Sequence, residues 1–291
     1  MEKIYTSLGL MSGTSMDGID ASIIKSNGED KYERVFDQYF KYNEEMYEEL
    51  VDIRNKINSS RDLEINRSAL GELERKITLF HAIVCNKIIS GYSSNIDLIG
   101  FHGQTIFHNA KEKVSKQLGD ANLLSSLLKK KIIFNFREND LINGGQGAPL
   151  APIFHQLLAN QNQINLPVCI LNIGGIANIT VISSRDFNDL KSYDIGPGNC
   201  LMDEWIRKNS EKRFDINGEL ARNGKTNEII LNQAIDNFDN IKNNTLSFDV
   251  KDFDLNFVRG LSLEDGISTL TDFTASIIYQ SILTSINLDE D

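Results

Sequence analysis

The chain has 291 residues and carries a net charge of −11 at pH 7, with a sequence pI near 4.9. This acidic balance argues against a nucleic-acid or anionic-membrane surface, but phosphate ligands stay possible because loops and helix N-termini bind them without bulk positive charge. Hydrophobic residues make up 41% and charged residues 24% of the chain, as in a globular protein with one large domain or two modest ones.

Cysteine and histidine usage argues against a zinc site. The three cysteines, Cys85, Cys169 and Cys200, follow no metal-ligand spacing, and the four histidines contain no H-x₃-H pair. An odd number of cysteines suits a reducing compartment, and neither a signal peptide nor a bilayer-spanning apolar run is found. We therefore expect a cytoplasmic protein.

The chain opens with a predicted strand, turn and strand. IYTSLGLM and IDASIIKS are β-prone, and the turn residues GTSMDG join them. Apolar residues at helical spacing then predict one helix from Met46 to Ile57 and a longer one from Leu70 to Val84. His81, within the second helix, is expected to be a packing or surface residue.

Two further buried strands are predicted before the middle of the chain. IDLIGF (96–101) is the first, and it is expected to end at the HGQT motif. DANLLSSLLKK (120–130) predicts a helix with Asp120 as its N-cap. KIIFNF (131–136) predicts the second buried strand.

The second half begins with the glycine-rich turn NGGQGAP (143–149) and a helical pattern, LAPIFHQLLAN. VCILNIGGIANITVIS (168–183) repeats the opening design, with a glycine turn between two β-prone runs. YDIGPGN (193–199) leads into the amphipathic helix CLMDEWIRK, and a long helix is predicted over 263–286.

Strands and helices that alternate across short glycine connections predict an α/β architecture. The two strand–glycine–strand units, near residues 13 and 174, predict two domains of similar design with a cleft between them. No low-complexity linker separates the halves, so we expect them to pack against each other.

The GTSMDG turn has two interpretations. Gly13 and Gly18 allow backbone N–H groups to approach an anion, the hydroxyl residues add donors, and Asp17 or Asp20 could hold Mg²⁺ through water. Asp-Gly is also a strong hairpin signal, and by itself the stretch favours a hairpin turn. The two interpretations are compatible, because a hairpin tip can cradle a phosphate.

A hydrolase is the less favoured alternative for this turn. GTSM is similar to the serine segment of subtilisin-like proteases, which need a base and an orienting acid in a set geometry. Here the serine precedes every histidine, opposite to the order in that family, and it lacks the flanks of a G-x-S-x-G elbow.

Two polar segments follow predicted strands. His102, Gln104 and Thr105 of HGQT offer donors and acceptors that suit a sugar, although a strand-end turn with a capping histidine would look the same. NGGQGAP can be an ordinary loop before a helix started by proline. Because Arg137 lies just upstream, an anion or carboxylate contact is the functional alternative.

The second half carries one prominent carboxylate. NIGGIAN is similar to the first glycine turn, and this repeat favours a second phosphate turn. In YDIGPGN, Asp194 lies on a backbone shaped by two glycines and Pro197. It can cap the following helix, or it can be a base with little freedom, as catalysis requires.

Taken in order, MSGTSMDGIDASI, GFHGQT, GGQGAPLAPIFH, LNIGGIANIT and YDIGPGNCLMDEWI resemble the anhydro-N-acetylmuramic acid kinase family. The resemblance covers nearly the whole chain. It implies an α/β, actin-like (RNase H-like) sugar-kinase fold with two lobes, 1–140 and 141–291. The family uses ATP and Mg²⁺ to phosphorylate 1,6-anhydro-N-acetylmuramic acid while hydrolysing its anhydro bridge, during cell-wall recycling. It also implies a homodimer.

The resemblance assigns roles to residues of this sequence. Asp194 matches the catalytic base, and Asp17 is the candidate Mg²⁺ anchor. The residues expected to bind ATP are Gly13, Thr14, Ser15, Met16, Asp17, Gly18, Ile19, Asp20, Gly174 and Gly175. The residues expected to bind the sugar are His102, Gln104, Thr105, Arg137, Gly145 and Gln146.

Two departures from the family pattern qualify this assignment. Asn135 stands where the family usually has Asp before Phe-Arg, which removes a charge beside Arg137. Nothing after Ile286 resembles the family's glycine-rich strand–turn–helix that helps hold adenosine, so we expect the C-terminal part of the fold to be missing. The alternatives are therefore a non-catalytic sugar-binding relative and an actin-like kinase for a different sugar.

Overall fold

The computed structural model describes residues 3–242 and 248–286. The chain divides into two compact units, Met1–Leu150 and Ala151–Asp291. Each unit has its own sheet and its own helices. The tail after Ile286, where the sequence departs from the family pattern, lies outside the described residues.

The first unit alternates strands and helices. In chain order its elements are β1 (Tyr5–Ser12), β2 (Gly18–Ser26), β3 (Tyr32–Lys41), α1 (Glu44–Lys56), α2 (Ser60–Ile65), α3 (Arg67–Gly91), β4 (Leu98–Asn109), β5 (Val114–Leu118), α4 (Ala121–Leu128), β6 (Lys131–Phe134) and α5 (Phe136–Ile142). The predicted β1–β2 hairpin is confirmed, with Tyr5 paired to Ser26 and Met11 to Asp20. Asp120 caps α4 as predicted, because its carboxylate accepts the N–H of Leu123 at 2.9 Å.

One mixed sheet forms the centre of the first unit. Its strand order is β3-β2-β1-β4-β5, and β6 also pairs with β4. The first three strands are antiparallel, whereas β4 runs parallel to β1 and to β6. This order agrees with the actin-like core that the sequence resemblance implies, and the mixed α/β class is confirmed.

The core of the first unit lies between this sheet and helices α1 and α3. Alternation along the hairpin buries Leu8, Ile19 and Ile23 completely, against a cluster that includes Leu50 of α1 and Ile77 of α3. Full burial of one such side chain stabilises the fold by about 1.5–3 kcal/mol. The two predicted helical stripes therefore face the sheet that carries the first glycine turn.

Two details of this sheet differ from the prediction. The strand predicted over 96–101 does not end at HGQT, because β4 continues to Asn109 by exchanging its parallel neighbours for the antiparallel strand β5 at Gln104. The segment KIIFNF is not buried, since Ile133 and Phe134 are 47% and 51% exposed. Its apolar run predicts a buried strand, but among the described strands β6 pairs with β4 alone and lies at an edge of the sheet.

The second unit starts with a helix and then forms a three-stranded sheet. In chain order its longer elements are α6 (Pro152–Gln161), β7 (Val168–Ile173), β8 (Ile176–Ile182), β9 (Leu190–Pro197), α7 (Cys200–Asn209), α8 (Glu219–Asn223), α9 (Glu228–Lys242) and α10 (Leu263–Ile286). Short 3₁₀ turns occur at 187–189, 216–218, 250–252 and 256–258. The predicted hairpin around NIGGIAN and the predicted C-terminal helix are both confirmed.

Strands β7, β8 and β9 form an antiparallel meander, so this unit repeats the β1-β2-β3 arrangement of the first. Ile179 and Ile195 are completely buried and pack with Ile278 of α10. A second apolar cluster joins helices α7, α9 and α10. The repeat predicted from the two glycine turns therefore extends to the strands around them.

The boundary between the units falls later than the predicted residue 140. The first unit ends at Leu150. The segment 143–149 belongs to this unit because Gly147 donates its N–H to the Asp140 carboxylate at 2.7 Å and its carbonyl accepts from Arg137 Nη1 at 2.6 Å. Across the described residues, no helix is both long and apolar enough to span a membrane.

Candidate active site

The first glycine loop, Gly13–Asp17, connects β1 to β2 in a tight turn. The N–H of Met16 donates to the carbonyl of Gly13 at 3.2 Å, and Met16 has a positive φ of 59°. This left-handed conformation costs an ordinary residue about 1–3 kcal/mol and persists only where surrounding structure enforces it. The Met16 side chain, 1% exposed, provides that anchor in the core.

The carbonyl groups of this loop are held by the protein. Gly13 O accepts from Gln104 Nε2 at 2.8 Å, Thr14 O from Arg54 Nη1 at 3.3 Å, and Asp17 O from the N–H of Tyr42 at 2.8 Å. Within the described residues, the N–H groups of Thr14 and Ser15 have no acceptor. Free successive amides of this kind form an anion-binding nest.

Gly13 and Gly18 are glycine for different physical reasons. A Cβ on Gly18 would lie 2.4 Å from the carbonyl oxygen of Phe40, so the fold itself requires glycine there. A Cβ on Gly13 would lie 3.5 Å from Ser15 Oγ and 4.0 Å from Ser15 N, both ordinary contacts. Because packing does not demand Gly13, the missing side chain leaves space against the backbone for a ligand.

Two acidic residues flank the loop. Ser15 Oγ donates to Asp17 Oδ1 at 2.6 Å. Partial burial and the negative charge of Asp17 raise the pKa of Asp20. Over the described parts of the chain, no group of three or more His, Cys, Asp or Glu side chains gathers as a metal site. Mg²⁺ at nucleotides needs only one or two carboxylates beside phosphate oxygens and water, so Asp17 fits this function.

A buried polar network underlies the loop, and the sequence did not predict it. Ser12 Oγ lies 3.0 Å from Tyr42 Oη and 3.4 Å from His81 Nε2, while His81 Nδ1 lies 2.8 Å from the Ile77 carbonyl. The Ile77 carbonyl accepts a hydrogen bond from the Nδ1–H group, so the unprotonated Nε2 is the acceptor of this network. Burial lowers the pKa of His81 to about 4 and raises that of Tyr42 to about 12, and the network is uncharged at neutral pH.

The HGQT motif and the loop 143–149 meet at Arg137, as the sequence predicts. Arg137 Nε and Nη2 lie 3.1 and 3.0 Å from His102 Nε2, and its Nη1 donates to Gly147 O at 2.6 Å. Burial and the neighbouring guanidinium lower the pKa of His102 to about 4, so this ring is a neutral acceptor at physiological pH. Burial also lowers the pKa of Arg137, and among the described residues no carboxylate forms an ion pair with it.

The remaining predicted sugar residues have different environments. Thr105 Oγ1 accepts from Gln117 Nε2 at 3.3 Å, and Gln146 is exposed. A Cβ on Gly145 would lie 2.2 Å from Asp140 Oδ2, so this glycine allows the carboxylate to organise the loop. Gln104 is fully buried and reaches the first glycine loop.

Asn135 has a structural reason for being an amide. It has a positive φ of 59°, a conformation that Asn tolerates better than most residues, and it immediately precedes α5. Its Nδ2 donates to a Glu138 carboxylate oxygen. An Asp at this position would face that carboxylate with like charge, and Arg137 is positioned by His102 and Gly147 without it.

In the second unit, the Gly174–Gly175 turn packs on the GPGN segment. The N–H groups of Gly198 and Asn199 donate to Gly175 O at 3.0 Å and Gly174 O at 2.7 Å. A Cβ on Gly198 would lie 2.2 Å from Gly174 O, whereas one on Gly174 would meet no atom closer than 3.6 Å. The same distinction therefore recurs here: one glycine is needed for packing and one leaves open space.

Asp194 lies on β9, opposite Asn178 and beside the only irregular step in the β8–β9 pairing. Its Oδ2 accepts the N–H of Phe248 at 3.0 Å. Burial raises the pKa of Asp194, and the hydrogen bond from Phe248 offsets part of this effect. In the described part of the chain, Oδ1 has no hydrogen-bond partner. The alternative role as a helix cap does not hold, because Asn199 is the residue before α7.

Sequence comparisons identify relatives of this chain. A family model described as anhydro-N-acetylmuramic acid kinase matches residues 5–287. An anhydro-N-acetylmuramic acid kinase of Pelagibacter ubique is 65% identical over 292 aligned positions, which cover 100% of this chain and 78% of that relative. One of Rhizobium etli is 34% identical over 97% of this chain and 76% of its own.

Among solved structures, the Ppx/GppA phosphatase of Aquifex aeolicus is similar over 94% of this chain and 92% of its own. It is 10% identical in sequence and has a TM-score of 0.33. A score of this size supports no statement about function.

Proposed function

The chain belongs to the anhydro-N-acetylmuramic acid kinase family, and we propose that it converts 1,6-anhydro-N-acetylmuramic acid to N-acetylmuramic acid 6-phosphate with ATP. This reaction opens the anhydro bridge and returns a cell-wall sugar to metabolism. The observation that carries the proposal is the carboxylate of Asp194, which one backbone N–H holds while its other oxygen has no partner among the residues that the structure describes.

The first glycine loop supplies the nucleotide half of the proposal. A transferring phosphoryl group needs positioning and charge stabilisation more than covalent help. The N–H groups of Thr14 and Ser15, which have no acceptor in the described part of the chain, and the space above Gly13 provide fixed dipoles for phosphate oxygens. Bound Mg²⁺ would add positive charge at the phosphates, and Asp17 would hold it through water.

Asp194 supplies the base. In an inverting glycosidase one carboxylate activates water and a second acid protonates the leaving oxygen. Here water oxygen bonds to C1, the C1–O6 bond breaks, and O6 takes the γ-phosphoryl group as the bond to ADP breaks. The water proton passes to Asp194, so one carboxylate suffices because the phosphoryl group replaces the acid's proton at O6.

In this proposal, Arg137 supplies the positive charge that binds the carboxylate of the sugar. The lactyl group of N-acetylmuramic acid carries a carboxylate. A half-buried guanidinium that has no acidic partner among the described residues favours such an anion. His102 keeps the guanidinium in place as a neutral acceptor. His102, Thr105, Gly145 and Gln146 stay predicted sugar contacts.

Purified protein tests the proposal directly. Incubated with ATP, Mg²⁺ and the anhydro sugar, it should produce one ADP and one sugar 6-phosphate per turnover, and the reducing sugar offered in place of the anhydro form should be a poorer substrate. Folded protein that produces neither product would contradict the proposal.

We also propose a cytoplasmic homodimer, for which light scattering should give twice the chain mass of 32.8 kDa.

Replacing Arg137 by lysine should raise KM for the sugar by about 10-fold and leave KM for ATP unchanged. Lysine keeps the charge but cannot form the planar fork that joins His102 to Gly147. Losing one charged hydrogen bond of about 1.5 kcal/mol corresponds to this factor. Initial rates at varied sugar concentration measure it.

Arg185→Lys is the matched control, because Arg185 also joins backbone carbonyls, those of Ala159 and Ile164, and none of these residues is a predicted ligand contact. It should leave both KM values near wild type. An Arg137→Lys enzyme with wild-type KM for the sugar would remove Arg137 from the sugar site.

A further inference from the structure

We propose that Gln104 is a positioning residue for the nucleotide and not a contact of the sugar. It fixes the peptide group between Gly13 and Thr14 so that the Thr14 N–H faces the phosphates. The inference rests on the proposed kinase function and gives Gln104 a different partner from the one that the HGQT motif predicts. Its evidence is the contact between β4 and the first glycine loop.

Gln104 occupies the point where the sheet changes its pairing. It lies opposite Ser12 in the parallel ladder and opposite Leu118 in the antiparallel one. This position places its side chain, which is 0% exposed, directly under the loop. Its Nε2 donates to Gly13 O at 2.8 Å, the same oxygen that accepts the N–H of Met16.

Planarity of the peptide bond turns this contact into control of an N–H group. In a trans peptide the carbonyl of one residue and the N–H of the next point in opposite directions. Because Gln104 holds Gly13 O, the Thr14 N–H points in the opposite direction, away from the Gln104 side chain. Arg54 has the same effect one peptide later, because its contact with Thr14 O directs the N–H of Ser15.

Without the hydrogen bond from Gln104, the peptide group between Gly13 and Thr14 would rotate more easily. Gly13 has no Cβ, and a Cβ there would make only ordinary contacts, so few steric barriers oppose rotation. A flip would present the Gly13 carbonyl oxygen, with its partial negative charge, to a phosphate in place of the Thr14 N–H. The Gln104 hydrogen bond, together with the longer one from the Met16 N–H to the same oxygen, therefore favours the orientation in which the loop attracts an anion.

The other end of the Gln104 amide supports a functional reason for the residue. Its Oε1 is buried and has no hydrogen-bond partner among the described residues. An unsatisfied buried acceptor is unfavourable, and an apolar side chain of similar size would avoid it. The amide is therefore not the most stabilising choice for packing alone, and its N–H donation to the loop accounts for its presence.

Gln104→Leu tests the proposal, with Gln117→Leu as the matched control. Gln117 belongs to the neighbouring strand β5 and contacts Thr105 and Ser115 but not the loop. We expect Gln104→Leu to raise KM for Mg·ATP by about 10-fold, to leave KM for the sugar within about 2-fold, and to unfold near the wild-type temperature. The control should leave KM for Mg·ATP and the unfolding temperature unchanged.

A second measurement does not depend on turnover. Hydrogen exchange of the peptide that covers residues 13–17, in protein without ligand, should be faster in Gln104→Leu than in wild type and in Gln117→Leu. Unchanged exchange, or a raised KM for the sugar with unchanged KM for Mg·ATP, would overturn the proposal. Wild-type protein that makes no sugar phosphate would instead contradict the kinase function, and exchange would still test Gln104.

Gln104→Glu provides a variant whose defect depends on pH. An ionised carboxylate would repel Gly13 O, whereas a protonated one can donate to it. Calorimetric affinity for Mg·ATP, relative to wild type at the same pH, should therefore recover between pH 9 and pH 5. A ratio that stays constant over this range would contradict the donor role, even if Gln104→Leu failed to fold.

Discussion

Replacing Asp194 by asparagine is expected to lower kcat by about 10²–10⁴-fold, the range that a general base contributes. Asparagine keeps an oxygen that can accept the N–H of Phe248, so the position of the side chain is preserved. What it loses is the free lone pair of Oδ1 that takes the proton of water. Single-turnover rates with the anhydro sugar and ATP measure this loss.

The Asp194→Asn protein should be as stable as wild type or slightly more stable. Because burial raises the pKa of Asp194, ionisation at neutral pH opposes folding, and a neutral side chain removes that cost. Asp254→Asn is the matched control, since Asp254 also accepts one backbone N–H, that of Asn256, but is exposed. Near-normal kcat in Asp194→Asn would contradict the base assignment.

The pH profile gives independent evidence on Asp194. The base must be ionised, so kcat/KM should fall as the pH falls through the pKa of this carboxyl group. Since burial raises that pKa, the acidic limb should lie above the ordinary value of 3.8. The acidic limb should disappear in Asp194→Asn, because this variant lacks the carboxyl group whose protonation lowers kcat/KM.

The second large effect is expected from the two glycines of the first loop. Gly13→Ala should raise KM for ATP by about 10-fold to 100-fold, since a methyl group would displace the phosphates from the backbone by about 1 Å. Its unfolding temperature should stay near wild type, because the added Cβ makes only ordinary contacts, the nearest with Ser15 Oγ at 3.5 Å.

Gly18→Ala should mainly lower the stability of the protein, in contrast to Gly13→Ala. Its Cβ would lie 2.4 Å from Phe40 O, so the hairpin must distort, at about 1–3 kcal/mol of stability. Differential scanning calorimetry and ATP titration of both variants separate the two effects. Equal loss of stability in the two variants would mean that Gly13, too, is a packing glycine.

The parts of the fold that the sequence predicted well are those with local physical causes. Met46, Leu50 and Ile53 at helical spacing predict one face of α1, and they are buried in the structure. The glycine turns predict both hairpins because few other residues allow such connections. The long C-terminal helix is confirmed over Leu263–Ile286 for the same reason, an uninterrupted apolar stripe.

The parts that it did not predict depend on contacts between distant segments. An apolar run such as KIIFNF does not reveal whether a strand is central or at an edge. Tyr42, His81 and Arg54 have no motif, and they support the loop only because β3, α3 and α1 come together beneath it. His81 was expected to be a packing or surface residue, and it packs, but its ring also hydrogen-bonds.

HGQT shows how a motif can be recognised while the partner of one residue escapes prediction. Regular alternation would put His102 and Gln104 on the same face of β4. Gly103, with a φ of 74°, and the register shift beside it interrupt that alternation, so the two side chains have different partners. His102 reaches Arg137 whereas Gln104 reaches Gly13, a contact between residues 91 positions apart. No local pattern encodes that distance.

The reaction carried out in ¹⁸O-labelled water tests the central claim most directly, namely that water adds to C1 while O6 takes the phosphoryl group. Mass spectrometry should find one ¹⁸O atom on the anomeric carbon of the sugar 6-phosphate and none in its phosphate. Label that appears in inorganic phosphate, with the anhydro sugar unchanged, would show ATP hydrolysis instead and would contradict the account.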